Sequence, residues 1–174
     1  DYDSEFRYKG KPIPALQGSD ANGKVIYLGT FSKSIAPSLR ISYMVLPQQL
    51  IERYRTVCGF YSTTVPRMQQ EILREFLRDG HFERHLNKMR GIYRGRHDFL
   101  IGELKKRSWV LSVSGDHAGL HVLVEADTGC SEREICERAA AQGVKVSGLG
   151  EYALTKDGGG GRNHPVLLLG YGSL

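Results

Sequence analysis

A chain of 174 residues with 24 Lys and Arg against 19 Asp and Glu carries a formal charge of +5 and is 40% hydrophobic. That apolar fraction with so small a net charge excludes intrinsic disorder for the chain as a whole. No run approaches the roughly 18 consecutive apolar residues that a membrane-spanning helix needs. The first residues do not read as a secretory signal. Cys58, Cys130 and Cys136 form no CxxC pair, which argues against a disulfide framework or a Cys-rich zinc site and makes the reducing cytoplasm the expected home.

The predicted elements begin with two short apolar runs, Lys24 to Phe31 and Ile41 to Leu46. Both are rich in β-branched and aromatic residues and are bounded by Asn22-Gly23 and Pro47, so both read as strands. The intervening SKSIAPSLR is too short for a helix and is interrupted by Pro37, so it is a turn. Pro47 starts a helix over roughly Gln48 to Val57, and Pro66 opens a second that Asp79-Gly80 ends. Phe82, Leu86, Met89, Ile92 and Tyr93 continue at helical steps toward Lys106. Between Arg67 and Arg96 eight basic residues face four acids, the pattern of a solvated helix face. Strands are expected at Trp109 to Val113 and Leu120 to Glu125, joined by the hairpin connection SGDHAG. Ser131 and Glu134 form a capping-box signature for a helix that Gly143 stops. Val144 to Val146 and Val166 to Leu169 are the last predicted strands, separated by a loop containing DGGGGR.

The chemistry is concentrated in LGTFSKSIAPSLRISYMVLP, where a lysine directly follows an apolar strand. Flanks of buried-strand character would place the Lys33 amine in a sheltered space, and desolvation makes a neutral amine available for imine formation. Thr30 and Ser32 supply hydroxyls, and Arg40 supplies a planar fork suited to a phosphate. An amine beside a phosphate clamp is the requirement of pyridoxal 5′-phosphate (PLP). The spacing alone is also compatible with a salt-bridged surface turn.

Three blocks sharpen this reading: DYDSEFRY, GTFSKSIAPSLRISY and HFERHLNKMRGIYRGRHDFL. They resemble the fold-type-I PLP enzymes of the aspartate-aminotransferase superfamily, and within it the aminotransferase-like domain of MocR-type regulators of the GntR family. GLHVLVEA and LLLGYGSL are similar to small-domain segments of the same family. The resemblance implies an α/β fold: the end of the large PLP-binding domain over residues 1–66, connecting helices over 67–107, and a small α+β domain over 108–174. It implies that Lys33 forms the internal aldimine, that Tyr2 hydrogen-bonds the phenolic oxygen of PLP, and that Thr30 and Arg40 bind its phosphate. Ser42 stands where many relatives have glycine. The family's aspartate for the pyridine nitrogen is expected just before Asp1, and its glycine-rich loop and ring-stacking residue further upstream. The sequence therefore reads as a fragment, with an unpaired strand edge that favours pairing with a second copy.

Other candidates are weaker. His81 and His85 lie four apart on a helix but lack a third ligand, so no metal is expected. His117 and His121 border a strand pair and read as structural. Arg162 is a candidate for a substrate carboxylate, by analogy with the arginine that the superfamily commonly places near its last strands. The implied function is a PLP-binding, effector-sensing and dimerising domain, with a small amine or amino acid as ligand and DNA bound only by a domain outside this chain. A genuine aminotransferase is the alternative, and a vestigial cofactor site used only for dimerisation is the third reading.

Overall fold

Residues 4–154 and 163–172 are described by a computed structural model. They divide into two units. Residues 4–5 and 10–89 form the first, and residues 6–9 with those from 90 onward form the second. Tyr2 and Arg162 lie outside the described residues.

In the first unit the Asp20 carboxylate accepts hydrogen bonds from the amides of Asn22 (3.0 Å) and Val25 (2.7 Å). Gly23 completes this turn at φ +63°, a conformation open to glycine. The chain then enters β1 (Tyr27–Thr30), which pairs antiparallel with β2 (Ser42–Val45), setting Gly29 opposite Tyr43 and Thr30 opposite Ser42. Both strands are shorter than the apolar runs that predict them. Phe31 still donates its amide to Ile41 O at 3.0 Å, but there the backbone leaves the ladder for the turn. At the far end Pro47 has no N–H to continue pairing, and it stands at the N-cap of α1 (Gln48–Cys58).

Pro66 occupies the same position before α2 (Arg67–Arg78). Asp79 and Gly80 donate back to Glu75 O and Leu77 O, and Gly80 at φ +71° redirects the chain into α3 (His81–Leu104). The charged face is paired locally: Arg74 meets Glu71 at 2.7 Å and Arg78 meets Asp79 at 2.8 Å, all well exposed. β1 and β2 leave apolar groups uncovered, Leu28 at 72% exposure and Val45 at 44%.

The second unit is built on a four-stranded antiparallel sheet in the order β3-β4-β6-β5. Its strands are β3 (Val110–Ser114), β4 (His121–Ala126), β5 (Ser147–Gly148) and β6 (Val166–Gly170). β4 alternates strictly, burying Val122, Val124 and Ala126, and it is a central strand paired on both edges. On α3, His97, Ile101 and Leu104 are buried at steps of four and three. The hairpin between β3 and β4 turns through Gly115 and Gly119, both at positive φ.

α4 (Glu132–Ala141) starts with both arms of the capping box: Glu134 N–H donates to Ser131 Oγ, and the Glu134 carboxylate accepts from Ser131 N–H at 2.8 Å. It ends with Gly143 N–H on Ala140 O and Val144 N–H on Ala139 O, the paired bonds of a Schellman closure. That closure corrects the expected strand at Val144 to Val146. The Val144 amide is committed to the helix end, and pairing with β6 begins only at Ser147. Among the described residues no helix is long and apolar enough to cross a membrane.

Candidate functional site

The turn between β1 and β2 gathers the residues that the sequence singles out. Phe31 N–H on Ile41 O (3.0 Å), Ile35 N–H on Phe31 O (2.9 Å) and Leu39 N–H on Ala36 O (3.0 Å) fold the eleven-residue connection back on itself. Thr30 Oγ1 donates to Ile41 O at 3.3 Å and accepts from Ser32 N–H at 3.2 Å. Ser32 Oγ donates to Leu39 O at 2.8 Å and accepts from Arg40 Nη1 at 3.4 Å. Two hydroxyls and one guanidinium thus converge within a single turn. Arg40 is exposed, and its other N–H groups are available to an anion.

Lys33 sits in the middle of this turn, next to Ser34, which is only 2% exposed. Lys33 itself is exposed, so the sheltered amine expected from its buried-strand flanks is not supplied by the described residues. The strand ends before Lys33, and the turn carries the side chain outward. Both hydroxyl protons are given to backbone carbonyls, Thr30 to Ile41 O and Ser32 to Leu39 O, so among these three residues the donors left for a phosphate ester are the remaining guanidinium N–H groups of Arg40.

A cleft of about 370 Å³ adjoins this turn, lined by Glu5, Tyr27, Leu28, Gly29, Thr30, Ser42 and Tyr43. The Tyr43 ring crosses over Gly29 so closely that a Cβ there would clash with its Cζ and hydroxyl oxygen. Burial, followed by the hydrogen bond with Tyr27 and the nearby charges, pushes the Tyr43 hydroxyl up to about 12, so it stays protonated at neutral pH. Sequence reading passed over Glu5, Tyr27 and Tyr43. Gly29 within an apolar run was the available signal, because an isolated strand glycine marks close approach by another group. A second cleft of about 460 Å³, lined by residues such as Phe31, Ile41, Leu73 and Leu77, includes neither Thr30 nor Lys33 nor Arg40.

The histidine candidates are accounted for by packing. His81 stacks on Phe76 and meets Arg84 at 2.9 Å, and His85 stands edge-on to the same ring. His117 lies 3.4 Å from Asp116, and its backbone carbonyl accepts from both Tyr8 and Lys9.

Comparison with known proteins identifies the family and the fold. The chain is 40% identical over 147 residues to the uncharacterized HTH-type transcriptional regulator YdeL of Bacillus subtilis, covering 84% of this chain and 32% of that protein. It is 39% identical over 152 residues to the probable rhizopine catabolism regulatory protein MocR of Rhizobium meliloti, covering 86% and 30%. The chain therefore spans about a third of the length of these relatives. Among solved structures, the multiple substrate aminotransferase of Thermococcus profundus superposes with a TM-score of 0.79 at 26% identity, covering all of this chain and 42% of that one. The α-aminoadipate aminotransferase LysN of Thermus thermophilus, complexed with N-(5′-phosphopyridoxyl)-L-leucine, superposes at 0.77, also at 26% identity, over all of this chain and 44% of that one. The fold is thus that of the fold-type-I PLP aminotransferases. Residues 4–158 match the aminotransferase class I and II family, and the chain belongs to it.

Proposed function

We propose that this chain is the C-terminal part of a PLP-binding, ligand-sensing and dimerising domain of a MocR-type regulator in the GntR family. The observation that carries the reading is the turn in which Thr30, Ser32 and Arg40 close together around the position of Lys33. The regulators to which the chain is similar favour it over an enzyme. Lys33 would hold the cofactor through its amine, Tyr2 would hydrogen-bond the ring oxygen, and Arg40 would bind the phosphate together with Thr30, whose hydroxyl proton must first turn from Ile41 O. PLP, when bound, would supply an electrophilic carbon able to bond a primary amine, that of Lys33 or of a small amine or amino acid. Arg40 contributes a fixed planar donor pair, and Ser32 orients it by accepting one guanidinium hydrogen. Thr30 is held by Ile41 O and keeps its oxygen lone pairs on the turn.

A ligand that favours one state of this domain shifts the state of an attached DNA-binding domain by its difference in affinity for the two. The second reading, an aminotransferase acting on an amino acid, is favoured by the similarity to the Thermococcus profundus enzyme. In that case Lys33 Nζ would carry the proton during transfer. The test is a titration of the natural full-length protein, loaded with PLP, against a panel of amines and amino acids. The regulator reading expects amine-dependent change in DNA retention without keto-acid production. Sustained turnover of an amino donor and a keto acid, with no effect on DNA, would put the aminotransferase in its place.

A further inference from the structure

The turn that carries Lys33 is fastened through one residue. Phe31 N–H donates to Ile41 O at 3.0 Å, just beyond the β1–β2 ladder, and Phe31 O accepts from Ile35 N–H at 2.9 Å. The second bond closes a five-residue turn, Phe31 to Ile35, with Lys33 at its centre. Where Phe31 sits, the turn sits. The Phe31 ring packs against two other rings of the same unit. Tyr43 of β2 lies 5.2 Å away between ring centroids, and Phe82 in the first turn of α3 meets it edge-on at 6.0 Å and 81°. Tyr43 is itself fixed, since it crosses over Gly29 and its ring lies 6.0 Å from that of Tyr27. Phe82 supplies its contact from a helix that lies outside the lysine motif.

Phe31 also lines the cleft of about 460 Å³ together with Ile41, Leu73 and Leu77, whereas Phe82 does not. Open space therefore adjoins the Phe31 ring, and its contact with Phe82 opposes movement into that space. A hydrogen bond to Phe31 O is only as constant as the Phe31 backbone, so a ring free to shift lets Ile35 N–H part from it more often. We infer that Phe82 is a positioning residue for Lys33: through Phe31 it fixes the five-residue turn on which the lysine is carried. The role of Lys33 in holding a cofactor rests on the function proposed above; the link from Phe82 to the turn does not.

The experiment is hydrogen exchange at single-amide resolution on the natural full-length protein without PLP, for the wild type, Phe82→Leu, Phe31→Leu and the double variant. Leucine keeps both positions apolar and removes only the ring. The Ile35 amide reports the turn, and the Gly59 amide, bonded to Arg55 O at the end of α1, reports the unit at large. Phe82→Leu should speed exchange at Ile35 by about threefold or more with Gly59 unchanged. In the Phe31→Leu background the same replacement should add nothing, because its path to the turn is gone. Equal acceleration at both amides, no acceleration at Ile35, or two replacements whose effects simply add would each overturn the inference. A second arm loads PLP and follows its release by absorbance after dilution. Release from Phe82→Leu should be faster by a similar factor, and a looser turn with unchanged release would refute the extension to Lys33. Failure of the wild type to take up PLP would count against the proposed function alone, since the turn is judged in the cofactor-free arm.

Discussion

Replacing Gly29 by alanine is the sharpest perturbation of the site's scaffold. The new Cβ would clash with Tyr43 Cζ and its hydroxyl oxygen, and the backbone on either side is tied into the β1–β2 ladder, so the ring must move. Tyr43 is 39% exposed and can swing outward, but it then gives up its contacts with Phe31 at 5.2 Å and Tyr27 at 6.0 Å. Aromatic pairs contribute about 0.5–1.5 kcal/mol each beyond their buried area, so a loss of about 1–3 kcal/mol is expected. That matches the usual cost of inserting a methyl group into a packed site. Urea unfolding followed by tyrosine fluorescence should show a lower midpoint with an unchanged slope. The double variant Gly29→Ala/Tyr43→Ala should be no less stable than Tyr43→Ala alone, because the clash disappears with the ring. A Gly29→Ala midpoint equal to wild type, or a double variant in which the two losses add, would refute the close-approach argument.

Arg40→Lys keeps the charge but loses the fork, and PLP retention by the full-length protein should weaken by about 1–3 kcal/mol in a titration; unchanged affinity would make Arg40 a structural residue. Ser131→Ala removes the acceptor for Glu134 N–H, and a loss of about 1 kcal/mol in thermal or urea unfolding is expected at this N-cap. On acidification, Asp116 is held below the usual carboxylate range chiefly by its hydrogen bond from Lys9, and Glu134 by that from Ser131 N–H. Both pKa values are lower in the folded state, so their contribution is full above about pH 5 and is lost as pH falls below about 4. Asp116→Asn should flatten part of that acid slope, and an identical slope would remove the pair from the account.

Most local structure was legible because local signals carried it. The proline-bounded helices, the Asp79-Gly80 break and the Ser131–Glu134 box depend on residues within a few positions of one another, and each formed where its signal lies. Val144 to Val146 misled because three residues of strand composition follow Gly143 directly, and the helix closure claimed Val144 first. The docking of Phe6–Lys9 had no local signal, since Tyr8 and its partner Gly119 are 111 positions apart. The order β3-β4-β6-β5 was equally silent, being set by pairing across a long connection. At the site, the polar groups of the turn were readable from SKSIAPSLR and the strands on either side. The exposure of Lys33 was not, because strand composition reports what flanks a lysine rather than which way the turn carries it.

The central claim is that Lys33 is the residue that holds PLP. Reduction of the PLP-loaded full-length protein with borohydride, followed by peptide mass mapping, reads this directly. The account predicts a single pyridoxyl label on Lys33, absent from Lys33→Ala. A label on another lysine, or one that persists in Lys33→Ala, would contradict it.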